Sequence, residues 1–192
     1  MILVFTRNVM TAAAIRSLSA NSDHRQVFVF DNRMAFLVCA TVCRQAVTII
    51  DTLDRETFSD VKWLVNKMEA RGLDNIRYLA RHSVYSAYIN VRRFIFTLAQ
   101  LKRIVSKKKK RPAGRNNMLP GEALSLAEHI RESLQDSLLP GVYTFLLADT
   151  PAAEGDARER KRRLNIRYRI RHKLNLGSRL EYSMLLSLIQ AG

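Results

Sequence analysis

The chain has 192 residues, 32 Lys and Arg against 17 Asp and Glu, a net charge of +15, and 47% apolar residues. The apolar fraction excludes a disordered composition, and the length allows one or two small domains. The cationic excess favours a polyanionic partner: DNA, RNA or an anionic surface.

Cys39 and Cys43 are the only cysteines, four apart among Phe36, Leu37 and Val42. They read as two small buried hydrophobes. No second cysteine pair completes a zinc site, and His24, His82, His129 and His172 are scattered, so neither a metal nor a cofactor is expected. The absence of a disulfide framework fits a reducing cytoplasm. Met1–Phe5 is too short for a signal-peptide core, and the apolar run near Ala35–Cys43 is too short to span a bilayer. A cytoplasmic protein without a membrane partner is expected.

Taken in order, Ile2–Phe5 is a strand buried on both faces. Val9–Leu18 has helical spacing at Met10, Ala13, Ala14 and Leu18. Val27–Phe30 is a second strand, and Asp31 is placed to cap a helix through about Arg44, with Met34, Leu37, Val38 and Val42 inward. Val47–Ile50 is a third strand, with Asp51 at its carboxyl end. Glu56–Arg71 is a helix striped by Phe58, Val61, Leu64, Val65 and Met68, stopped by Gly72. Ile76–Leu79 is a fourth strand, Val84–Ile89 a fifth, and Val91–Val105 a helix with an apolar face at Phe94, Ile95, Leu98, Leu101, Ile104 and Val105. Strand and helix alternate, which predicts an α/β doubly wound parallel sheet over residues 1–105.

Residues 106–117 read SKKKKRPAGRNN, with six cations, a proline and a glycine. This is a basic linker. Lys107, Lys108, Lys109, Lys110 and Arg111 are placed to contact phosphates without reading sequence.

An all-α unit is expected over 118–192. Met118-Leu119-Pro120-Gly121-Glu122 opens a helix carrying Leu124, Leu126, Ala127, Ile130 and Leu134. Val142–Leu147 reads equally as a helix or a short strand, and Ala148–Gly155 as a loop. Asp156 caps a cationic helix, Ala157–Leu174. Nine Lys or Arg and one acid, Glu159, fall between Arg158 and Lys173. Ile166, Ile170 and Leu174 form an i, i+4, i+8 row, which sets Arg160, Arg163, Arg167 and Arg171 on another face. Ser178 and Glu181 form a capping box for a last helix, Arg179–Gln190, striped by Leu180, Met184, Leu185 and Leu188.

The first half resembles the receiver domain of bacterial response regulators, with Asp51 matching the phosphoacceptor aspartate. The rest of that family's chemistry is absent. Thr6-Arg7-Asn8 stands where receivers carry an acidic pair for magnesium, Ala80 where they carry Ser or Thr, and no lysine follows the fifth strand. A lone carboxylate has little means to stabilise phosphoryl transfer. The resemblance implies a pseudo-receiver with a vestigial Asp51, not an enzyme; phosphotransfer at Asp51 is the alternative.

The segment Ile170-Arg171-His172-Lys173-Leu174-Asn175-Leu176-Gly177-Ser178-Arg179-Leu180-Glu181 resembles the end of the LuxR/FixJ (NarL-type) helix-turn-helix, and Met118–Glu122 resembles that domain's Leu-Thr-Pro-x-Glu opening. Between the two this chain is longer than the family. The resemblance implies a phosphorylation-independent transcription regulator, an accessory factor of the kind that controls fimbrial, capsule or virulence genes. It would bind double-stranded DNA as a homodimer or as a heterodimer with another response regulator. The cationic helix would enter the major groove, with Arg162, Arg163, Asn165, Arg167 and Arg169 at base edges. Arg158, Arg160, Lys161, Arg171 and Lys173 would grip phosphates. An RNA-binding protein using the same arginine-rich helix, with Tyr168 free to stack on a base, is the competing expectation.

Overall fold

A computed structural model of the chain describes residues 1–20, 25–53, 58–80, 93–106, 124–149 and 156–190. Five strands, β1 (Ile2–Phe5), β2 (Val27–Phe30), β3 (Val47–Asp51), β4 (Ile76–Leu79) and β5 (Phe94–Ile95), form one parallel sheet in the order β2-β1-β3-β4-β5. This is the doubly wound, receiver-like order, in which the chain winds outward in both directions from β1. β1 is buried at every residue, as its uninterrupted apolar run predicts.

Two helices, α1 (Val9–Ala20) and α4 (Leu98–Val105), cover one face of the sheet. Ile15, Leu101 and Val105 meet Ile2, Val4, Ile49, Leu79 and Ile95 there. The other face carries α2 (Arg33–Val42) and α3 (Phe58–Glu69), and a further layer lies over α2. That layer comprises α5 (Leu126–Ser137), α6 (Pro140–Ala148), α7 (Ala157–Lys173) and α8 (Arg179–Gln190). Ile130, Leu134, Leu146, Ile170, Leu174, Tyr182, Leu185 and Ile189 belong to the same buried cluster as Phe5, Phe36, Ile50 and Leu64. The C-terminal helices thus share a core with the sheet.

This second layer explains α2. The sequence predicts four inward residues, yet every residue from Ala35 to Val42 is buried. A helix that is apolar all round is stable only when covered on all sides. Here the sheet lies beneath it and α5 and α8 lie above it. Its N-cap is Asn32, whose side chain accepts from the Met34 and Ala35 amides; Asp31, the expected cap, precedes it. Cys39 and Cys43 are buried as free thiols. Burial, followed by the charge of Cys43, pushes the Cys39 thiol far above its ordinary range, so it stays protonated and unreactive.

Other expectations are corrected. In α1 the buried residues are Ala12, Ile15 and Ser19, whereas Met10 is 78% exposed. Of the expected Met10, Ala13, Ala14, Leu18 stripe only Leu18 packs against the core; Met10, Ala13 and Ala14 are exposed, because Ile15 outweighs two alanines in apolar area. Phe94 and Ile95 are strand, not helix, and pair with Tyr78 and Leu79. The helix begins only at Leu98, where Thr97 and Gln100 form a capping box. The strand expected at Val84–Ile89 lies outside the described residues. Val142–Leu147 resolves as helix α6, with Pro140 in its first turn. The described part of α5 starts at Leu126, capped by Ser125 and Glu128, so Leu124 precedes it. Met118–Glu122, and the loop expected over 148–155 beyond Asp149, lie outside the described residues. No described helix is long and apolar enough to cross a membrane.

Candidate nucleic-acid interface

α7 carries the densest charge in the chain, and its local structure follows from its sequence. Asp156 accepts from the Glu159 amide and fixes the start of the helix. Its 17 residues run about 25 Å. The end is a Schellman turn. Leu176 N–H donates to the Arg171 carbonyl and Asn175 N–H to that of His172, at 2.8 and 3.2 Å. Asn175 sits at φ 58°, a left-handed conformation that asparagine adopts more readily than most residues. The turn drops Leu176 into the core at 5% exposure.

Ile170 and Leu174 are buried and Ile166 half-buried. The predicted apolar row does face inward. The arginines flanking it follow it: Arg163, Arg167 and Arg171 are all half-buried. Arg167 donates from Nε and Nη2 to the two oxygens of Asp149, at 2.7 and 2.8 Å. Asp149 is fully buried and also accepts from Tyr182 Oη at 2.7 Å. The Asp149 hydrogen bond is the first cause that raises the Arg167 pKa. Burial, then that same carboxylate, pushes the Tyr182 phenol well above its ordinary value. The guanidinium of Arg167 thus ties α7 to the end of α6 and to α8. Arg171 keeps its Nε buried with no hydrogen-bond partner among the described residues.

Arg158, Arg160, Lys161, Arg162, Asn165, Tyr168, Arg169, His172 and Lys173 are exposed. Of the five residues placed at base edges, Arg162, Asn165 and Arg169 are on the open face. Arg163 is half-buried, and Arg167 is turned toward Asp149. Of the expected phosphate contacts, Arg158, Arg160, Lys161 and Lys173 are open and Arg171 is half-covered. Lys107, Lys108, Lys109, Lys110 and Arg111 lie outside the described residues. Tyr168 is 64% exposed, its ring centroid 6.4 Å from that of His172.

Asp51 is 2% exposed at the end of β3. Its carboxylate accepts from Thr6 Oγ1 at 2.8 Å and from the Leu53 amide at 2.9 Å. Arg7, beside it in sequence to Thr6, turns instead to Asp60. Ala80 follows β4, and Phe96 and Thr97 follow β5. The carboxylate is satisfied by neutral donors within the fold.

The contacts that join the two halves were not found from sequence. Arg71, just past α3, donates to both oxygens of Glu181 in α8, at 2.8 and 2.7 Å. Glu181 also accepts from the Gly177 amide. The predicted capping box showed only its local half, Ser178 Oγ accepting from the Glu181 amide. Asp149 had one sequence signal, a single acid ending the apolar run of α6.

No family model, curated protein or solved structure matches the chain.

Proposed function

We propose that the protein is a DNA-binding transcription regulator, with a receiver-like half that works without phosphorylation and a helix-turn-helix unit formed by α5–α8. The observation that carries this reading is the open face of α7. Lys161, Arg162, Asn165 and Arg169 project from a helix whose opposite side is anchored by Ile166, Ile170, Leu174 and the Arg167–Asp149 pair. An α-helix of about 10–12 Å diameter fits the B-DNA major groove, about 12 Å wide. Arginine and asparagine are the side chains that read guanine and adenine through paired hydrogen bonds. The proposed base contacts are Arg162, Asn165 and Arg169. Arg158, Arg160, Lys161 and Lys173 would hold phosphates and set the register.

A rigid anchor beneath a reading face supports sequence-specific contact, because a side chain must be placed accurately to tell one base pair from another. α8 buries Tyr182, Leu185, Leu186 and Ile189 within the fold; of its expected stripe Leu185 is buried, Met184 and Leu188 are half-buried and Leu180 is 72% exposed. A dimer would rely chiefly on another surface. Phe96 and Leu98, 46% and 59% exposed at the start of α4, are open for one.

The test is selection of bound sequences from a random duplex pool by the full chain at near-physiological salt. A recurring motif is expected, repeated with two-fold symmetry about one helical turn apart if two copies bind. Binding without a motif that collapses with salt would reduce α7 to an electrostatic grip. Displacement by structured RNA at lower concentrations than by duplex DNA would assign the helix to RNA.

A further inference from the structure

A cavity of about 840 Å³ opens at the carboxyl ends of β1 and β2; none of its lining residues belongs to α7, and one of them, Thr6, hydrogen-bonds Asp51. Arg7, Arg16 and Arg33 line it together with Asp31 and Asp60. Asp60 is the organising residue. Its two oxygens accept from Arg7 Nη2 at 2.7 Å and Arg33 Nη1 at 2.8 Å, so one carboxylate holds two guanidiniums side by side. The side chain of Asp60 is 12% exposed, while those of Arg7 and Arg33 stay 47% and 44% exposed. Arg33 is further fixed over the Trp63 ring, 4.8 Å from its centroid.

Each guanidinium has five N–H donors. The Asp60 contact takes one from each and leaves four on each arginine, both of which line the cavity. Three arginines against Asp31 and Asp60 leave the opening net cationic. Like charges seldom sit together without a counter-charge, and here the inner carboxylate only partly neutralises the pair. A fixed pair of arginine forks matches the geometry of a phosphate group, which takes parallel N–H···O bonds. The volume lies within the range of small-molecule sites, about 300–1,000 Å³.

We propose that this cavity binds a small molecule bearing a phosphate group, which Arg7 and Arg33 contact directly and Arg16 assists. Asp60 positions the two arginines. The site is independent of α7, so it stands or falls apart from the DNA reading.

The probes are inorganic phosphate and ribose 5-phosphate, titrated calorimetrically into the full chain at constant ionic strength. Saturable one-to-one binding is expected. Arg7→Ala and Arg33→Gln should each weaken it roughly tenfold, the loss of one charge-assisted hydrogen bond. Lys67→Ala, an exposed cation of α3 that does not line the cavity, should leave it unchanged. Absence of saturable binding by the wild-type chain would overturn the proposal. So would equal weakening by Lys67→Ala, which would mean a diffuse effect of net charge. Circular dichroism checks the fold of each variant; if Arg33→Gln melts, the exposed Arg7→Ala decides.

Discussion

Arg71 and Glu181, 110 positions apart, form a buried ion pair in which one nitrogen of the guanidinium serves both carboxylate oxygens. Their side chains are 6% and 4% exposed. Arg71 follows the third helix of the receiver-like half, and Glu181 begins the last helix of the chain. Arg71 also reaches Thr41 Oγ1 on α2 at 3.3 Å. The pair closes the seam between the sheet's helices and the C-terminal layer.

Breaking that pair by removing one partner leaves an uncompensated buried charge. Glu181→Gln or Arg71→Met should each destabilise the whole chain by about 3–5 kcal/mol. The combination Arg71→Met with Glu181→Leu should recover much of the loss, since no lone charge remains. Urea unfolding of the four proteins checks this. A single transition in all four would fit the shared core; two transitions in the wild type would show that the halves unfold separately.

Gly177 lies against the same pair. A Cβ there would meet Arg71 Nη2 at 3.2 Å and Glu181 Oε1 at 3.4 Å. The guanidinium end is pinned by its partner and has little room to yield. Gly177→Ala should therefore cost about 1–3 kcal/mol, as overpacking of a filled site does. In the Arg71→Met, Glu181→Leu background the cost should shrink, because the crowded atoms are gone. Thermal melts of both backgrounds measure the difference.

Much of the sheet and of α7 was legible in the sequence because the signals were strong and local. β1 is an unbroken apolar run, Asp156 and Gly72 are clear boundary residues, and Ile166, Ile170 and Leu174 set the inward row. The faces of helices were less legible. α1 has more small apolar residues than it buries, and α2 is apolar on every side, so a stripe could not identify the neighbour. The second layer over α2 was invisible, because no local pattern encodes which helix will cover another. The same holds within the candidate site. Nine cations in one helix look alike in sequence. Only Asp149, an acid on a different helix, separates Arg167 from Arg162.

That separation gives opposite expectations for residues five apart. Arg167→Ala removes from the fully buried Asp149 its two guanidinium hydrogen bonds and leaves it the Tyr182 hydroxyl. It should destabilise by about 2–4 kcal/mol, the range for a buried charge deprived of a main partner. Arg162→Ala and Arg169→Ala, on the exposed face, should stay within about 0.5 kcal/mol of wild type. If the DNA reading holds, they should instead weaken specific binding by about 1–3 kcal/mol each. Parallel melts and binding isotherms separate anchor from reader.

A second seam contact should make stability acid-sensitive. Gln26, ahead of β2, donates from Nε2 to the Leu124 carbonyl, which turns its Oε1 toward His129 Nε2 on α5. The ring therefore donates from Nε2, and it meets the Phe28 ring edge to face with centroids 5.7 Å apart. Burial lowers the pKa of His129 below its ordinary value. A depressed folded value means the unfolded chain binds the proton more readily. The contribution is complete above the unfolded pKa of about 6.5 and is lost as pH falls through the folded value. His129→Gln should flatten that decline. Unfolding free energies of the two proteins at pH 7.5 and 5 should converge at the lower pH; parallel curves would show that the ring does not titrate differently in the two states.

The number of phosphates held by α7 is measurable through salt. Each phosphate contact to duplex DNA contributes about −0.9 to the slope of log K against log salt concentration. Lys161 and Arg160 are exposed near the start of the helix, and Lys173 is exposed near its end. Replacing each with alanine should reduce the slope by about one and weaken all DNA sequences alike. Arg162→Ala should instead change which sequences are preferred, since a base contact discriminates and a phosphate contact does not. If Lys161→Ala shifted preference while Arg162→Ala lowered affinity uniformly, α7 would lie in the groove rotated by about one residue, roughly 100° around its axis, from the orientation argued above.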